Sequence, residues 1–275
     1  MKAVCPICPR ACELEDGQTG FCRARKNIGG EVLPINYGRI TSLALDPIEK
    51  KPLRRFCPGS AILSLGLFGC NLRCPFCQNH EISMAGEEFP NPYGASPDTL
   101  AEKALELVPR GNIGLAYTYN EPLVGYEFVR DTGTIVREKG LKNVLVTNGY
   151  INEKPWRELL PIIDAANIDL KGFTDSWYKR LEGDLETVKR SIAIAAESIH
   201  VEVTTLIVPG ENDGEEEIRA LCSWLSSLRR DIPLHLSRFF PRYRMKEKEP
   251  TPVSTVYNLA EIAREYLDFV YTGNC

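Results

Sequence analysis

The sequence predicts an α/β fold in which helices cover a mostly parallel sheet, preceded by a small cysteine-rich module. From residue 61 onward, short apolar segments alternate with amphipathic segments in six or seven successive units. This alternation is typical of parallel strands joined by helices. Residues 1–60 are instead rich in Cys, Pro, Gly and Arg and show little sustained periodicity. We therefore predict a module over 1–60 and an α/β domain over 61–275, whose sheet is either open and doubly wound or a full or partial barrel.

The elements of the α/β domain follow from local patterns. Residues 62–68 form an apolar run that ends at Gly69, as expected of a buried parallel strand. Ser96 and Pro97 provide the N-cap and first position of a helix. Further strands are predicted over 113–119 and 142–147, over a segment ending at 169, and over 200–208, 233–239 and 268–271. The remaining helices are predicted over about 122–139, from about 152, over about 185–198, from about 213 and over about 253–266.

Composition limits the classes of function. The chain has 275 residues, of which 43% are hydrophobic and 25% charged, an ordinary globular balance. Its formal net charge of −4 argues against a strongly basic nucleic-acid binder. The start lacks the pattern of a signal peptide, and an apolar stretch such as 61–69 is too short to cross a bilayer. We expect a soluble, cytoplasmic protein without a membrane partner.

The ten cysteines are unusual for such a chain. Disulfide scaffolds are typically short and secreted, so grouped thiols in a chain of this kind favour metal binding. Seven cysteines form two groups, Cys5, Cys8, Cys12 and Cys22, then Cys70, Cys74 and Cys77. Cys57, Cys222 and Cys275 are scattered, and Cys222 shares an apolar helical face that predicts a place in the core.

The second group has the spacing C-x3-C-x2-C and directly follows the first predicted strand. Iron–sulfur clusters normally take four cysteines, so three on one loop indicate a [4Fe–4S] cluster with one iron open. S-adenosylmethionine can chelate that iron, and an electron from the cluster then releases a 5′-deoxyadenosyl radical. The alternative is a Cys₃His zinc site completed by His80. Phe76 within the loop either shields the cluster or packs.

The first group has the spacing C-x2-C-x3-C-x9-C and can supply four thiolates. Structural zinc and an auxiliary iron–sulfur cluster both accept four cysteines. The spacing therefore predicts a second metal site and leaves zinc and iron–sulfur open.

The predicted strands end in polar residues. If the sheet forms a barrel, these ends are where its chemistry lies. The segments at the ends are Tyr117 to Pro122, Thr147 to Gly149, Asp169 to Gly172, Val208 to Gly210 and His235 to Arg238.

Several of these strings together resemble a known family. The Cys70–Cys77 loop and the Asn120-Glu121-Pro122 turn are similar to those of the radical S-adenosylmethionine (radical SAM) superfamily, within it to pyruvate formate-lyase-activating enzymes, and most to the AmmeMemoRadiSam group. Matching strings include Cys8 to Arg10, Asp46 to Leu53, Tyr117 to Pro122, Val146 to Tyr150, Asp169 to Gly172, Pro233 to His235 and Ser237 to Pro241. The resemblance covers nearly the whole chain and implies a partial (β/α)6 barrel of the TIM type.

The resemblance also implies roles for individual residues. Asn120-Glu121-Pro122 occupies the position of the family's Gly-Gly-Glu-Pro motif, so Glu121 would accept a hydrogen bond from the methionyl ammonium of the cofactor. Residues expected to contact the cofactor are Phe76, Tyr119, Asn120, Glu121, Thr147, Asn148, Asp169, Lys171 and His235. Besides Phe76, two of these have structural alternatives, an ion pair with Asp169 for Lys171 and a satisfied core histidine for His235.

The function predicted on this basis is a radical SAM oxidoreductase that abstracts hydrogen from a small-molecule or protein substrate. Cys70, Cys74 and Cys77 would hold the cluster, and a flavodoxin or ferredoxin would donate the electron. One alternative is an activase that acts on a protein glycine, by analogy with related enzymes. An alternative of another class is a zinc-stabilised binding protein without catalysis.

Overall fold

A computed structural model describes residues 1–90 and 92–275 of the chain. Its strands are β1 (Ala3–Val4), β2 (Glu13–Leu14), β3 (Arg25–Ile28), β4 (Glu31–Pro34), β5 (Arg39–Ile40), β6 (Ser42–Pro47), β7 (Ala61–Gly66), β8 (Tyr93–Gly94), β9 (Asn112–Tyr117), β10 (Lys142–Thr147), β11 (Ala165–Asp169), β12 (His200–Ile207), β13 (Leu234–Arg238) and β14 (Val270–Gly273). Its α-helices are α1 (His80–Ser83), α2 (Pro97–Glu106), α3 (Tyr126–Glu138), α4 (Glu153–Leu159), α5 (Asp175–Arg180), α6 (Leu185–Ala196), α7 (Glu215–Leu228) and α8 (Val253–Arg264).

The main sheet is a partial barrel. Within the described residues it has eight strands in the order β14-β13-β12-β11-β10-β9-β7-β6. The seven from β7 to β14 are parallel, and β6 pairs antiparallel with β7 at one edge. A doubly wound sheet reverses its strand order part-way, whereas this order follows the chain throughout, as in a barrel. The predicted partial barrel is confirmed, with β14 as a seventh parallel strand beyond the six expected.

Local signals in the sequence account for most element boundaries. The Ser96 side chain accepts a hydrogen bond from the amide of Thr99 at 3.2 Å and caps α2, as Pro97 at its first position predicts. Cys222 is fully buried on α7, which confirms its place in the core. The helix predicted over 122–139 is divided, because Pro122–Gly125 is a 3-10 turn that precedes α3. Pattern reasoning missed the short helices α1 and α5.

The amino-terminal end of the barrel is closed by residues that precede it in the chain. Ile48 and Leu53 are fully buried there. They pack against Ile62, Val144 and Ala165, which lie at the beginnings of their strands. The carboxyl ends of the strands are the opposite end of the barrel, which is where this type of fold carries its functional residues.

The cysteine-rich module packs against the loop that follows β7. The amide of Cys70 donates to the carbonyl of Cys22 at 3.2 Å. Gly69 has φ +92°, and a Cβ at this position would lie 2.6 Å from both the Cβ of Ala24 and the carbonyl oxygen of Cys22. Glycine is thus required twice here, for its backbone conformation and for the close approach. The parts 1–60 and 61–275 share the main sheet through β6, and the division between them stays a prediction.

Candidate active site

The loop from Cys70 to Cys77 carries three thiols directly after β7. Cys74 is buried, and Cys70 and Cys77 are half-buried. Burial raises the pKa of the Cys74 thiol to about 12, although the nearby Lys171 ammonium acts in the opposite direction. Burial also raises the pKa of Cys70 well above its usual value, with a further contribution from the Glu121 carboxylate. Thiols with such raised pKa values stay protonated at neutral pH unless a metal binds them, because metal binding stabilises the thiolate and releases the proton.

Glu121 is a buried carboxylate held in one orientation by three donors. Its Oε1 accepts from Thr147 Oγ1 at 2.7 Å and from the amide of Leu123 at 3.0 Å. Its Oε2 accepts from the amide of Asn148 at 2.8 Å. Burial raises the pKa of Glu121 to about 7, and these hydrogen bonds only partly offset that effect. A carboxylate in this state gains much from a cation placed beside it.

Asn148 connects this carboxylate to the cysteine loop. Its Nδ2 lies 3.7 Å from Cys70 Sγ and donates to Asn71 Oδ1 at 2.9 Å. Asn71 in turn donates to the carbonyl of Tyr150 at 2.7 Å. The ends of β7, β9 and β10 are therefore tied into one unit by side-chain amides.

Lys171 and Asp169 form an ion pair at the end of β11, with 2.9 Å between Nζ and Oδ2. Burial by itself would lower the pKa of Lys171, but Asp169 and Cys74 more than compensate and raise it, so the side chain is a cation. The alternative of an Asp169–Lys171 ion pair is what the structure shows. Phe76 stacks on Trp177 with 5.8 Å between ring centroids, and Trp177 Nε1 donates to the carbonyl of Lys171 at 2.7 Å.

The side chains of Asn120 and Tyr119 form hydrogen bonds with other residues of the chain. The Asn120 side chain accepts from the amide of Leu67 at 3.0 Å and donates to the carbonyl of Gly69 at 3.0 Å, so it fastens the start of the cysteine loop. Tyr119 has φ +71°, a left-handed conformation that is uncommon outside glycine. Its hydroxyl donates to Asp46 Oδ2 at 2.7 Å.

His235 is paired with a buried carboxylate on the neighbouring strand β12. Its Nε2 lies 2.6 Å from Glu202 Oε2, and the other oxygen of Glu202 contacts His200 Nε2 at 2.9 Å. The backbone amides of Arg54 and Arg55 also donate to Glu202 at 3.0 and 2.7 Å. His235 is 6% exposed, and these contacts are those expected of a satisfied core histidine. The expected contact of His235 with the cofactor stays a prediction.

The four cysteines of the module surround one small cavity. Cys5, Cys8, Cys12 and Cys22 all line it, together with Arg10, Arg25 and Asn71. Burial raises the pKa of the Cys8 thiol to about 12 and also raises the pKa of Cys22. Within residues 1–90 and 92–275, no group of three or more His, Cys, Asp or Glu side chains is arranged to hold a single metal ion.

Some contributors were absent from the sequence interpretation. Asn71 lies inside the cysteine loop, and no sequence pattern there predicts a role for its side-chain amide. Asp46 carries an ion pair with Lys51 at 2.9 Å beside the Tyr119 hydroxyl. Asp46 belongs to the segment Asp46 to Leu53, whose resemblance to the family is the sequence feature that could have indicated its role. Arg25 follows Cys22 by three residues, but nothing in the sequence indicates that its side chain lines the cavity of the four cysteines.

A family model described as the radical SAM superfamily matches residues 66–222, which include the cysteine loop, the Glu121 turn and the ion pair of β11. The chain belongs to the radical SAM superfamily. It is an enzyme that uses a [4Fe–4S] cluster and S-adenosylmethionine, and the alternative of a non-catalytic zinc protein is thereby set aside. No helix of the described residues has the length and apolar character needed to span a membrane.

The similarity to other proteins extends over much of the chain. It is 43% identical over 277 residues to "Uncharacterized protein MJ0808" of Methanocaldococcus jannaschii, with 99% of this chain and 81% of that protein covered. It is 29% identical over 167 residues to the pyruvate formate-lyase-activating enzyme of Clostridium pasteurianum, covering 58% and 68% of the two chains. A radical SAM methyltransferase from Sphaerobacter thermophilus shares the fold, with a TM-score of 0.61, 14% identity and coverage of 79% of this chain and 67% of that one.

Proposed function

We propose that the enzyme cleaves S-adenosylmethionine reductively at the carboxyl end of its barrel and abstracts hydrogen from a substrate bound there. Cys70, Cys74 and Cys77 would hold three irons of the cluster. The observation that carries the proposal is the pairing of these three thiols with a buried carboxylate, Glu121, that is already oriented by three donors. The cluster and its cofactor supply the one-electron chemistry when bound.

The residues present fit this pair of cofactors. Three soft thiols on one loop suit iron and leave one coordination position free for a ligand from outside the chain. Glu121 would accept a hydrogen bond from the methionyl ammonium. Among the described residues, the groups that hydrogen-bond to its carboxylate are neutral, so a cation from the cofactor could pair with it. Asn148 Nδ2, 3.7 Å from Cys70 Sγ, would donate towards the sulfur and stabilise its negative charge.

Other side chains would orient the cofactor and exclude water. Lys171 carries a positive charge near Cys74 and would lie near the cofactor carboxylate, with Asp169 holding it in place. Phe76, stacked on Trp177, would cover one side of the cluster loop. Thr147 would keep Glu121 from rotating away from the ammonium.

The lumen beneath this edge offers polar groups to a substrate. Alternate residues of a strand share a face, so Thr204 lies on the same inner side as Glu202 of β12. Thr204 is in register with Asp169, and its buried hydroxyl has no hydrogen-bond partner in the described structure. A buried polar atom of this kind favours a partner with hydrogen-bonding groups. A polar substrate, either a small molecule or a polypeptide segment, is what this lining supports.

A second candidate is activation of a glycyl-radical enzyme through a protein glycine. The similarity to the pyruvate formate-lyase-activating enzyme of C. pasteurianum favours it. A flavodoxin or ferredoxin would supply the electron in either case.

Anoxic reconstitution with iron and sulfide, followed by reductant and S-adenosylmethionine, tests the first proposal. We expect 5′-deoxyadenosine from the wild type and from Cys57→Ser, whose thiol is exposed. We expect none from Cys70→Ser, Cys74→Ser or Cys77→Ser. A wild type that binds a cluster at this loop and accepts electrons without forming the nucleoside would contradict it. A glycyl-radical signal in a polypeptide partner, detected by electron paramagnetic resonance (EPR), would identify the activase reaction.

A further inference from the structure

We infer that Arg10 and Arg73 are positioning residues that clamp the cysteine loop by its carbonyls and stabilise the reduced state of the cluster that the loop would hold. The inference rests on the proposed function, because that function places the cluster at Cys70, Cys74 and Cys77. Arg10 comes from the module over 1–60, so the inference also gives this module a part in the reaction.

Three successive carbonyls at the start of the cysteine loop accept hydrogen bonds from the two guanidiniums. Arg73 Nη1 donates to the carbonyls of Cys70 and Leu72 at 2.9 and 3.0 Å. Arg10 Nε donates to the carbonyl between them, that of Asn71, at 2.9 Å. The loop is therefore held by its backbone from the residue that carries the first thiol onward.

Phe21 holds the two guanidiniums in place. The Cζ atoms of Arg10 and Arg73 lie 3.3 and 3.7 Å from the centre of its ring, so they stack on opposite faces of it. Such stacking is favourable for a guanidinium, which is planar and cationic. The Phe21 carbonyl also accepts a hydrogen bond from Arg73, and the Glu182 carbonyl accepts one from Arg10. The module and the loop are thus joined through one aromatic ring and two cations.

The positive charges of the pair are not neutralised by carboxylates. In the part of the chain that the structure describes, every hydrogen-bond acceptor of the two guanidiniums is a backbone carbonyl. Partial burial lowers the pKa of Arg73, an effect that the Cys70 thiol opposes and the charges of Arg23 and Arg10 reinforce. Arginine nevertheless stays protonated in proteins. Like charges gathered beside one loop cost free energy, which negative charge at the thiols would offset.

The charge of Arg73 is close enough to act on the first thiol. Its Nη1 is 2.9 Å from the carbonyl oxygen of Cys70, and four bonds separate that oxygen from Sγ of the same residue. The nitrogen therefore lies within about 8 Å of the sulfur. Charges that are partly shielded from water interact appreciably over such a distance.

A cation at this position favours the reduced cluster. Reduction adds one electron, from the flavodoxin or ferredoxin, and no proton, so the loop and its cluster become more negative. The attraction to Arg10 and Arg73 is stronger in that state. The two arginines therefore raise the reduction potential of the cluster and make the electron easier to deliver.

The midpoint potential of the cluster tests the role of the charge. It is measured by anoxic redox titration, followed through the EPR signal that S-adenosylmethionine alters. Arg73→Gln should shift the equilibrium towards the oxidised cluster by about tenfold or more, which is about 59 mV for a one-electron couple. Arg10→Gln should shift it in the same direction. Arg264→Gln, in the last turn of α8, is the control and should leave the potential unchanged.

Arg73→Lys separates the charge from the clamp, because lysine keeps the charge but lacks the planar fork. Its equilibrium should stay within about threefold of the wild type, whereas a shift as large as that of Arg73→Gln would overturn the electrostatic role. Both variants should lose iron to a chelator faster than the wild type, and unchanged rates would contradict the clamp. If Arg73→Gln does not retain a cluster, Arg10→Gln decides, since it leaves the loop sequence intact. An unchanged potential in the variant that is measured refutes the inference.

These outcomes are distinct from failure of the proposed function. A wild type that forms no 5′-deoxyadenosine, although its cluster is reduced and S-adenosylmethionine alters its EPR signal, contradicts the proposed function alone. Normal nucleoside formation together with an unchanged potential in Arg73→Gln contradicts this inference alone.

Discussion

The Oγ1 of Thr147 lies 2.7 Å from Oε1 of Glu121, at the ends of two adjacent parallel strands. The threonine hydroxyl donates to a carboxylate that is 3% exposed. With the amides of Leu123 and Asn148, it fixes Glu121 while burial raises its pKa to about 7. The Glu121 carboxylate is therefore held in one orientation by groups of the protein alone.

Glu121→Gln should weaken the binding of S-adenosylmethionine about 10- to 100-fold at pH 8, since a hydrogen bond to a charged group contributes about 1.5–3 kcal/mol. A carboxyl with a pKa of about 7 is protonated below that pH and cannot pair with an ammonium. Wild-type affinity should therefore rise between pH 6 and 8, whereas that of the variant should not. Isothermal titration calorimetry of the reconstituted, anoxic protein measures both. Equal pH slopes in the two proteins would contradict the role of Glu121, and Glu186→Gln on an exposed helix position is the control.

Gly69→Ala should destabilise the protein by more than about 2 kcal/mol, because a positive φ and a contact of 2.6 Å with Cys22 and Ala24 are penalised together. Gly59→Ala is the matched control, since Gly59 has φ +80° but nothing within 4 Å of an added Cβ. It should cost about 1 kcal/mol. Urea unfolding followed by circular dichroism measures the difference. Similar losses for both variants would show that the module does not constrain the cysteine loop.

Glu202→Gln should destabilise the closed end of the barrel by about 2–3 kcal/mol at pH 7. Burial alone would raise the pKa of Glu202, but hydrogen bonds from His200, His235 and the amides of Arg54 and Arg55 outweigh it and lower the pKa to about 2. The stabilisation is therefore complete above about pH 4.5, the ordinary value, and is lost as pH falls towards 2. The gap between wild type and variant should shrink over that range in denaturant titrations. A gap that is constant from pH 7 to pH 3 would mean that ionisation of Glu202 does not stabilise the fold.

The sequence predicted the strands and the strand-end chemistry because both depend on local patterns. The strand predicted over 142–147 is β10 to the residue, since an apolar run between turn signals leaves little choice. The sequence did not reveal the ion-pair partner of His235, because a position on one strand does not specify which side chain faces it from the next strand. Its partner Glu202 is 33 residues earlier in the chain. The hydrogen-bond partners of Asn120, Leu67 and Gly69, were likewise not predicted, because only the pairing of β7 with β9 brings them to it.

Ile48 and Leu53 fill the amino-terminal end of the barrel, where both are fully buried. A polypeptide substrate would therefore reach the cysteine loop from the carboxyl ends of the strands, by inserting a chain end or the tip of a loop. It would also have to withdraw from that end, because the packed side chains leave it no path along the barrel axis.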